Sequence, residues 1–201
     1  MSTARIVELR VSSPVEPWQR LGLLVSDGVA RIGGVQLRFG DGHDGLVGWG
    51  IADSATDATD IDGLATYAAT PPDGHPPHHP LRIEGFDHVV VMTSSLERTC
   101  GAIEAATGAE LRRIREAGPV RQGFHRLGEV IVEVVETERV TAPTASFWGF
   151  VWNVDDLHEA CATLGPDVIS LPKPAVQSGR YIATVRSELG LGLPLALMTP
   201  R

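Results

Sequence analysis

The sequence predicts an α+β protein assembled from repeated β-α-β-β-β units, and three observations predict it. A run rich in β-branched residues, Phe86 to Met92, leads through Thr93-Ser94-Ser95 into a helical pattern. Further strand-like segments follow at turn-sized intervals. The same order then returns 61 residues later, where Phe147-Trp-Gly-Phe-Val-Trp-Asn-Val lies on Phe86 to Thr93. Self-similarity at a fixed offset signals repeated units, because one unit alone has a sheet face that it cannot cover.

In chain order, residues 1–70 read as a single, looser half-module. Ile6 to Val11 is its strand, and Ser13-Pro14-Val15-Glu16 is a capping box with proline at the first helical position. Gly28 is placed at the end of that helix, with Val29 to Ile32, Val35 to Phe39 and Leu46 to Ile51 as three strands. Residues 71–82 are rich in proline and histidine and read as a linker, so His75, His78 and His79 are assigned to linker rather than to a metal site. Residues 83–201 hold two full units. In the first, 86–137, Ser94 caps a helix with Glu97 three residues on, Leu96, Cys100 and Ile103 share a face, and Gly108 stops it. Strands at Glu110 to Glu116, Val120 to Leu127 and Val130 to Glu136 are separated by Gly118-Pro119 and Gly128-Glu129, which suit tight turns. In the second, 147–199, Asp155 takes the place of Ser94, Cys161 that of Cys100, and Gly165 ends the helix. Its strands are placed around Val168 to Leu171, Arg180 to Val185 and Leu193 to Met198.

Composition removes several classes of function. The 201 residues are 43% hydrophobic, a globular proportion, and 25 acidic against 17 basic residues give a net charge of −8. That balance argues against a nucleic-acid partner. Apolar runs are of strand length, far below the roughly 20 residues of a membrane helix, so no membrane partner is expected. Met-Ser-Thr-Ala-Arg-Ile-Val-Glu carries no basic and apolar leader pattern, and a cytoplasmic location is the expectation. Cys100 and Cys161 both fall in helical segments and read as small buried hydrophobes rather than a disulfide or a catalytic thiol. Gly190-Leu-Gly-Leu-Pro-Leu lacks the ending of a phosphate loop and leads into a strand.

Polar residues set among apolar ones mark the candidate site. His88 alternates with Phe86, Val90 and Met92, and Glu133 stands between Ile131 and Val135. A buried polar group is costly unless it is used or paired. The functional reading makes His88 a base or donor and Glu133 an orienting carboxylate or base; the alternative is a structural His–Glu pair. Arg121, Gln177 and Arg180 are candidate substrate-binding residues, since guanidinium forks hold carboxylates and an amide can orient a carbonyl. A solvated strand face is the competing reading for them. Trp148, Phe150 and Trp152 alternate opposite Gly149 and read as core.

Asp-His-Val-Val-Val before a capped helix, Gly-Glu-Val-Ile-Val-Glu-Val-Val, and Asn-Val-Asp-Asp-Leu before a second helix together resemble the glyoxalase/bleomycin-resistance/dihydroxybiphenyl-dioxygenase, or vicinal-oxygen-chelate, superfamily. Residues 86–199 carry that resemblance, and residues 4–70 match one module only loosely. Pro174 to Arg186, followed by Leu191 to Pro200, is similar to glyoxalase-like proteins of actinobacteria that have no assigned reaction. The resemblance implies modules paired into a curled mixed sheet, helices outside and a small-molecule ligand inside the cup. Its metal-ligand positions map to His88, Glu133, Gly149 and Ala196, of which two are ligand-capable, so a divalent metal would lack half of its usual protein donors. The resemblance implies a lyase, isomerase or oxygenase, or else a non-catalytic binding protein of the bleomycin-resistance type. The sequence leaves the N-terminal half-module two ways to cover its face: on its own chain, or across a two-fold axis in a homodimer, which is the arrangement preferred.

Overall fold

The structure, a computed structural model, describes residues 3–54 and 57–200. The second half of the chain forms one eight-stranded sheet. Its first unit runs β-α-β-β-β through Ile83–Thr93, Leu96–Thr107, Arg113–Ala117, Val120–Leu127 and Val130–Thr137. Its second runs through Ser146–Val154, Leu157–Leu164, Lys173–Pro174, Tyr181–Thr184 and Leu195–Met198. The first half contributes Arg5–Ser12, a short helix Glu16–Arg20, then strands Val29–Ile32, Val35–Gly40, Gly45–Ala52, Asp60–Ile61 and Leu64–Ala68. In chain order the strands are β1 to β14 and these three α-helices are α1 to α3.

The sheet of β7 to β14 has the order β12-β13-β14-β11-β7-β10-β9-β8. Within each unit the first and last strands are parallel neighbours, and the two units join where β7 and β11 pair antiparallel. The register at that seam obeys the 61-residue offset. His88 pairs with Val151 and Val90 with Gly149, so each pair is the image of the other, and Val89 opposite Phe150 marks the axis. Three irregularities interrupt the seam, leaving Asp87, Trp148 and, near its end, Glu84 as extra residues. Such bulges break the strict alternation of faces. Phe86 is therefore turned away from His88, against the sequence expectation, and packs on Phe150 and Trp152 at ring centroid distances of 5.2 and 6.2 Å. Trp148 is displaced the other way and stands half-exposed, so of the three expected core aromatics only Phe150 and Trp152 are buried.

Helix α2 lies against the opposite face of the sheet, burying Leu96, Cys100 and Ile103. A β-carbon at Gly123 would stand 2.8 Å from the Cys100 sulfur, which is why β9 carries glycine there. Both helix caps fall one residue later than the sequence suggests: Ser95 accepts from the Arg98 amide and Asp156 from the Glu159 amide. Gly108, at φ +68°, ends α2 as expected. Helix α1 is only five residues long and has no side-chain cap, because Ser13 accepts the Trp18 indole N–H instead. It stops at Arg20, well before Gly28.

Residues 1–70 do not build the single half-module that the sequence suggests. Strand β3 pairs parallel with β1 and occupies that edge, so β4 takes the free edge antiparallel, and β6 then adds parallel to β4. The order β2-β3-β1-β4-β6-β5 is a pair of shortened modules joined at β1 and β4, the second with no helix among its described residues. Here too Glu8 pairs with Gly50 and Arg10 with Gly48, images of one another about Leu9 and Trp49, with Val7 and Val47 as the extra residues.

The two sheets share one apolar core. Trp18 of α1 bridges them, 5.9 Å from both Phe150 and Trp152. Asp62 accepts from Arg98 at 2.8 Å and from Thr99 at 2.5 Å, and Arg20 donates to the Leu189 carbonyl. The face that invited a second copy of the chain is thus covered in cis. His79, expected in a mobile linker, is buried; its Nδ1 accepts from the Leu24 amide and its Nε2 meets the Arg31 carbonyl at 2.7 Å, which pins the proline-rich segment to the N-terminal sheet.

Candidate functional site

The concave face of the eight-stranded sheet, away from α2 and α3, encloses a cavity of about 420 Å³, within the range of small-ligand sites. Val90, Met92, Val135, Val151 and Ile182 make its walls mostly apolar, and Trp148 stands at its rim, where a second depression lined by Ser170, Thr184 and Arg186 begins. The larger hollow beside Gly22 and Val29 has Arg31 as its single titratable lining residue.

His88 from β7, Gln122 from β9 and Glu133 from β10 line the cavity together, with Thr184 of β13 on the side of the second depression. Antiparallel β9 puts Gln122 opposite Val135 and Phe124 opposite Glu133, so the Gln122 amide crosses diagonally to donate to Glu133 Oε1 at 2.5 Å. Its own Oε1 is buried without a hydrogen-bond partner. His88 Nε2 lies 3.3 Å from Glu133 Oε2, and its Nδ1 lies 2.8 Å from Asp87 Oδ2. A contact between consecutive side chains of a strand requires the bulge, since regular neighbours point to opposite faces.

Asp87 in turn accepts from Arg180 at 2.7 Å, and Arg180 also donates to Asn153 Oδ1 and to the Thr199 carbonyl. Burial alone would push the Asp87 carboxyl up, but its hydrogen bonds with His88 and Arg180 outweigh it and hold the group well below the usual carboxylate range. An ionised Asp87 keeps the proton on Nδ1 of His88 and leaves Nε2 towards Glu133. The result is a continuous line of polar contacts, Arg180–Asp87–His88–Glu133–Gln122, running from the sheet edge to the cavity.

The remaining expected residues lie elsewhere. Arg121 does not reach the cavity: it pairs with Glu97, Glu116 and Glu136 beside the start of α2, and Glu136 also receives the Leu96 amide. Alternation on β9 sends its neighbour Gln122 inward instead. Gln177 is exposed in the turn before β13, its carbonyl accepting from the Arg180 amide, and it does not line the cavity. Arg180 stands behind the site as a partner of Asp87 rather than within ligand reach. Asp87 and Gln122 are the polar residues that sequence reasoning did not select. The pattern Asp-His gave a signal for the first, and alternation from Glu133 through a correct hairpin register would have given the second. Cys100 and Cys161 are buried and unbridged, and burial pushes the Cys100 thiol up to about 12, which leaves it inert.

The four positions that the resemblance marks for metal ligation are brought together by the register, since Val90 pairs with Glu133 and its image Val151 with Ala196. The side chains do not fit such a centre. A β-carbon at Gly149 would come within 2.2 Å of the Pro194 carbonyl oxygen, so that position excludes any donor, and Ala196 offers only a methyl group. Gln122 adds a neutral amide. Among the described residues no group of three His, Cys, Asp or Glu side chains is placed to hold a metal ion.

No family model and no curated protein matches the sequence. Solved structures do. Methylmalonyl-CoA epimerase from Mycobacterium tuberculosis superposes with a TM-score of 0.51 at 14% identity, over 61% of this chain and 91% of that one. A triple mutant of 4-hydroxymandelate synthase from Streptomyces coelicolor superposes with a TM-score of 0.67 at 13% identity, over 99% of this chain and 93% of that one.

Proposed function

We propose that this chain, which has the glyoxalase-like fold of the vicinal-oxygen-chelate superfamily, is a small-molecule enzyme in which His88 and Glu133 move a proton at a carbon acid. A fold shared by an epimerase and a synthase does not choose a reaction, so the side chains must. The observation that carries the reading is the His88 imidazole held between two carboxylates at the edge of an apolar cavity. Neutral imidazole can donate to one of them only, so His88 and Glu133 share one mobile proton. An apolar cavity that keeps water from the pair makes that proton useful. The unpaired Gln122 oxygen is an acceptor for an O–H or N–H of the bound compound. Of the lyase, isomerase and oxygenase chemistries implied by the resemblance, proton transfer at carbon is the step these residues carry by themselves. The substrate class is a compact, mainly apolar compound with a C–H made acidic by an adjacent carbonyl.

Exchange of that C–H in D₂O tests this without knowledge of the product. A panel of small 2-oxo acids and 1,3-dicarbonyl compounds, followed by proton NMR, should show enzyme-dependent loss of one signal. Glu133→Gln should slow it by about a hundredfold or more, the usual worth of a positioned base. The second reading, a non-catalytic binding protein, is favoured by the apolar walls and by Gly149 and Ala196 in two marked positions. Panel compounds that raise the melting temperature with no exchange in the wild type would establish that reading instead.

A further inference from the structure

The open face of the N-terminal sheet carries a second cluster, at the positions that correspond to the first. The paired strands β1 and β4 repeat the seam of β7 and β11, so Glu8 stands where His88 does, Arg38 where Glu133 does, Gly48 where Gly149 does and Tyr67 where Ala196 does. The chemistry has changed. Glu8 is buried, its side chain 10% exposed, and it receives Arg10 Nε at 2.7 Å on Oε1 and Arg38 Nε at 3.2 Å on Oε2. Each guanidinium is turned to Glu8 by its Nε edge. Among the described residues neither makes another hydrogen bond or ion pair, so both terminal amino groups of both arginines remain unused there. Arg10 is further fixed by stacking, its Cζ 3.4 Å above the Tyr67 ring. The two arginine side chains remain 35% and 47% exposed.

Two guanidiniums facing one carboxylate leave one positive charge, on a chain whose net charge is −8. Their orientation is set in advance by a shared buried partner, which lowers the ordering cost of using their outer forks. Planar forks match a carboxylate bidentately. We propose that Arg10 and Arg38, oriented by Glu8, form a second ligand site on the N-terminal sheet that takes up a small carboxylate, separate from the cavity of the other sheet.

Titration of the full chain with sodium acetate, read on the arginine Nε–H signals by ¹H–¹⁵N NMR, tests it, with sodium chloride at matched ionic strength as the control and sodium phosphate as a second arm. Arg10→Lys and Arg38→Lys assign the signals. The expected result is a saturable shift of both signals with acetate and not with chloride, weakened tenfold or more in Arg38→Ala and also in Arg38→Lys, which keeps the charge but not the fork. Glu133→Gln should leave the acetate response unchanged. A response that follows ionic strength alone, or that survives Arg38→Ala, overturns the site. Loss of the response in Glu133→Gln places the carboxylate in the other cavity and overturns it as well, and saturation by phosphate in preference to acetate overturns the ligand class.

Discussion

Asp87 and His125 give the molecule two separate sensitivities to acid. The His125 ring is buried; its Nδ1 meets the Ala109 carbonyl at 2.8 Å, and its Nε2 has no partner. Desolvation holds its pKa below the ordinary 6.5 despite the help of that carbonyl. The unfolded chain therefore binds a proton there before the folded one does, and stability falls as pH drops below 6.5. Asp87 acts in the next window. Its folded value is depressed, so its contribution is complete above the ordinary 3.8 and is lost as pH falls from there towards the depressed value. Chemical unfolding between pH 7 and pH 2 should show two phases, the lower on the order of 2 kcal/mol. His125→Gln should flatten the upper phase and Asp87→Asn the lower. A single phase untouched by both would contradict the assignments.

At the scale of elements, the bulges decide what the sequence could and could not convey. The strand from Phe86, the helix ending at Gly108 and the return of both after Phe147 were readable, because β-branched runs, caps and self-similarity are local signals. An extra residue in a strand has no such signal. Period-two alternation therefore put Phe86 beside His88 and Trp148 in the core, while the bulges put both on the other side. The choice between Arg121 and Gln122 failed for a related reason, since one residue of register exchanges the faces of a strand. His88 and Glu133 were found because each sits inside an apolar run that pays no attention to turns. The N-terminal strand order was not readable, since pairing of β4 with β1 rather than β3 depends on which edge is already filled. The glycine of β11 tests the seam directly. Gly149→Ala drives a β-carbon against the Pro194 carbonyl and should cost about 1 to 3 kcal/mol in denaturant unfolding. Gly85→Ala, two residues before Asp87 and with nothing within 4 Å of the added carbon, should change stability by less than about 1 kcal/mol. Equal effects would show that the close approach at Gly149 is relieved at little cost.

For the whole molecule, one core shared by two sheets predicts one cooperative transition. Trp18 is fully buried between Phe39 of the first sheet and Phe150 and Trp152 of the second. Trp18→Ala should cost about 3 to 5 kcal/mol, as deletion of a buried aromatic does. Near-ultraviolet and far-ultraviolet circular dichroism of the wild type should melt together; separate melting of the two would contradict a single cooperative transition. Among the described residues no helix is long and apolar enough to cross a membrane, and the apolar residues are instead spent on this joint core.

The bulge residues Val7, Val47, Asp87 and Trp148 occupy the same place in four central strands. A bulge bends its strand and sharpens the local twist, so one inserted residue in each of the four strands bends both seams at matching places. Of the four, Val7 is buried in packing, Val47 and Trp148 stand exposed, and Asp87 holds a histidine. One inserted position thus decides, unit by unit, whether a seam presents packing, an exposed apolar surface or a polar contact.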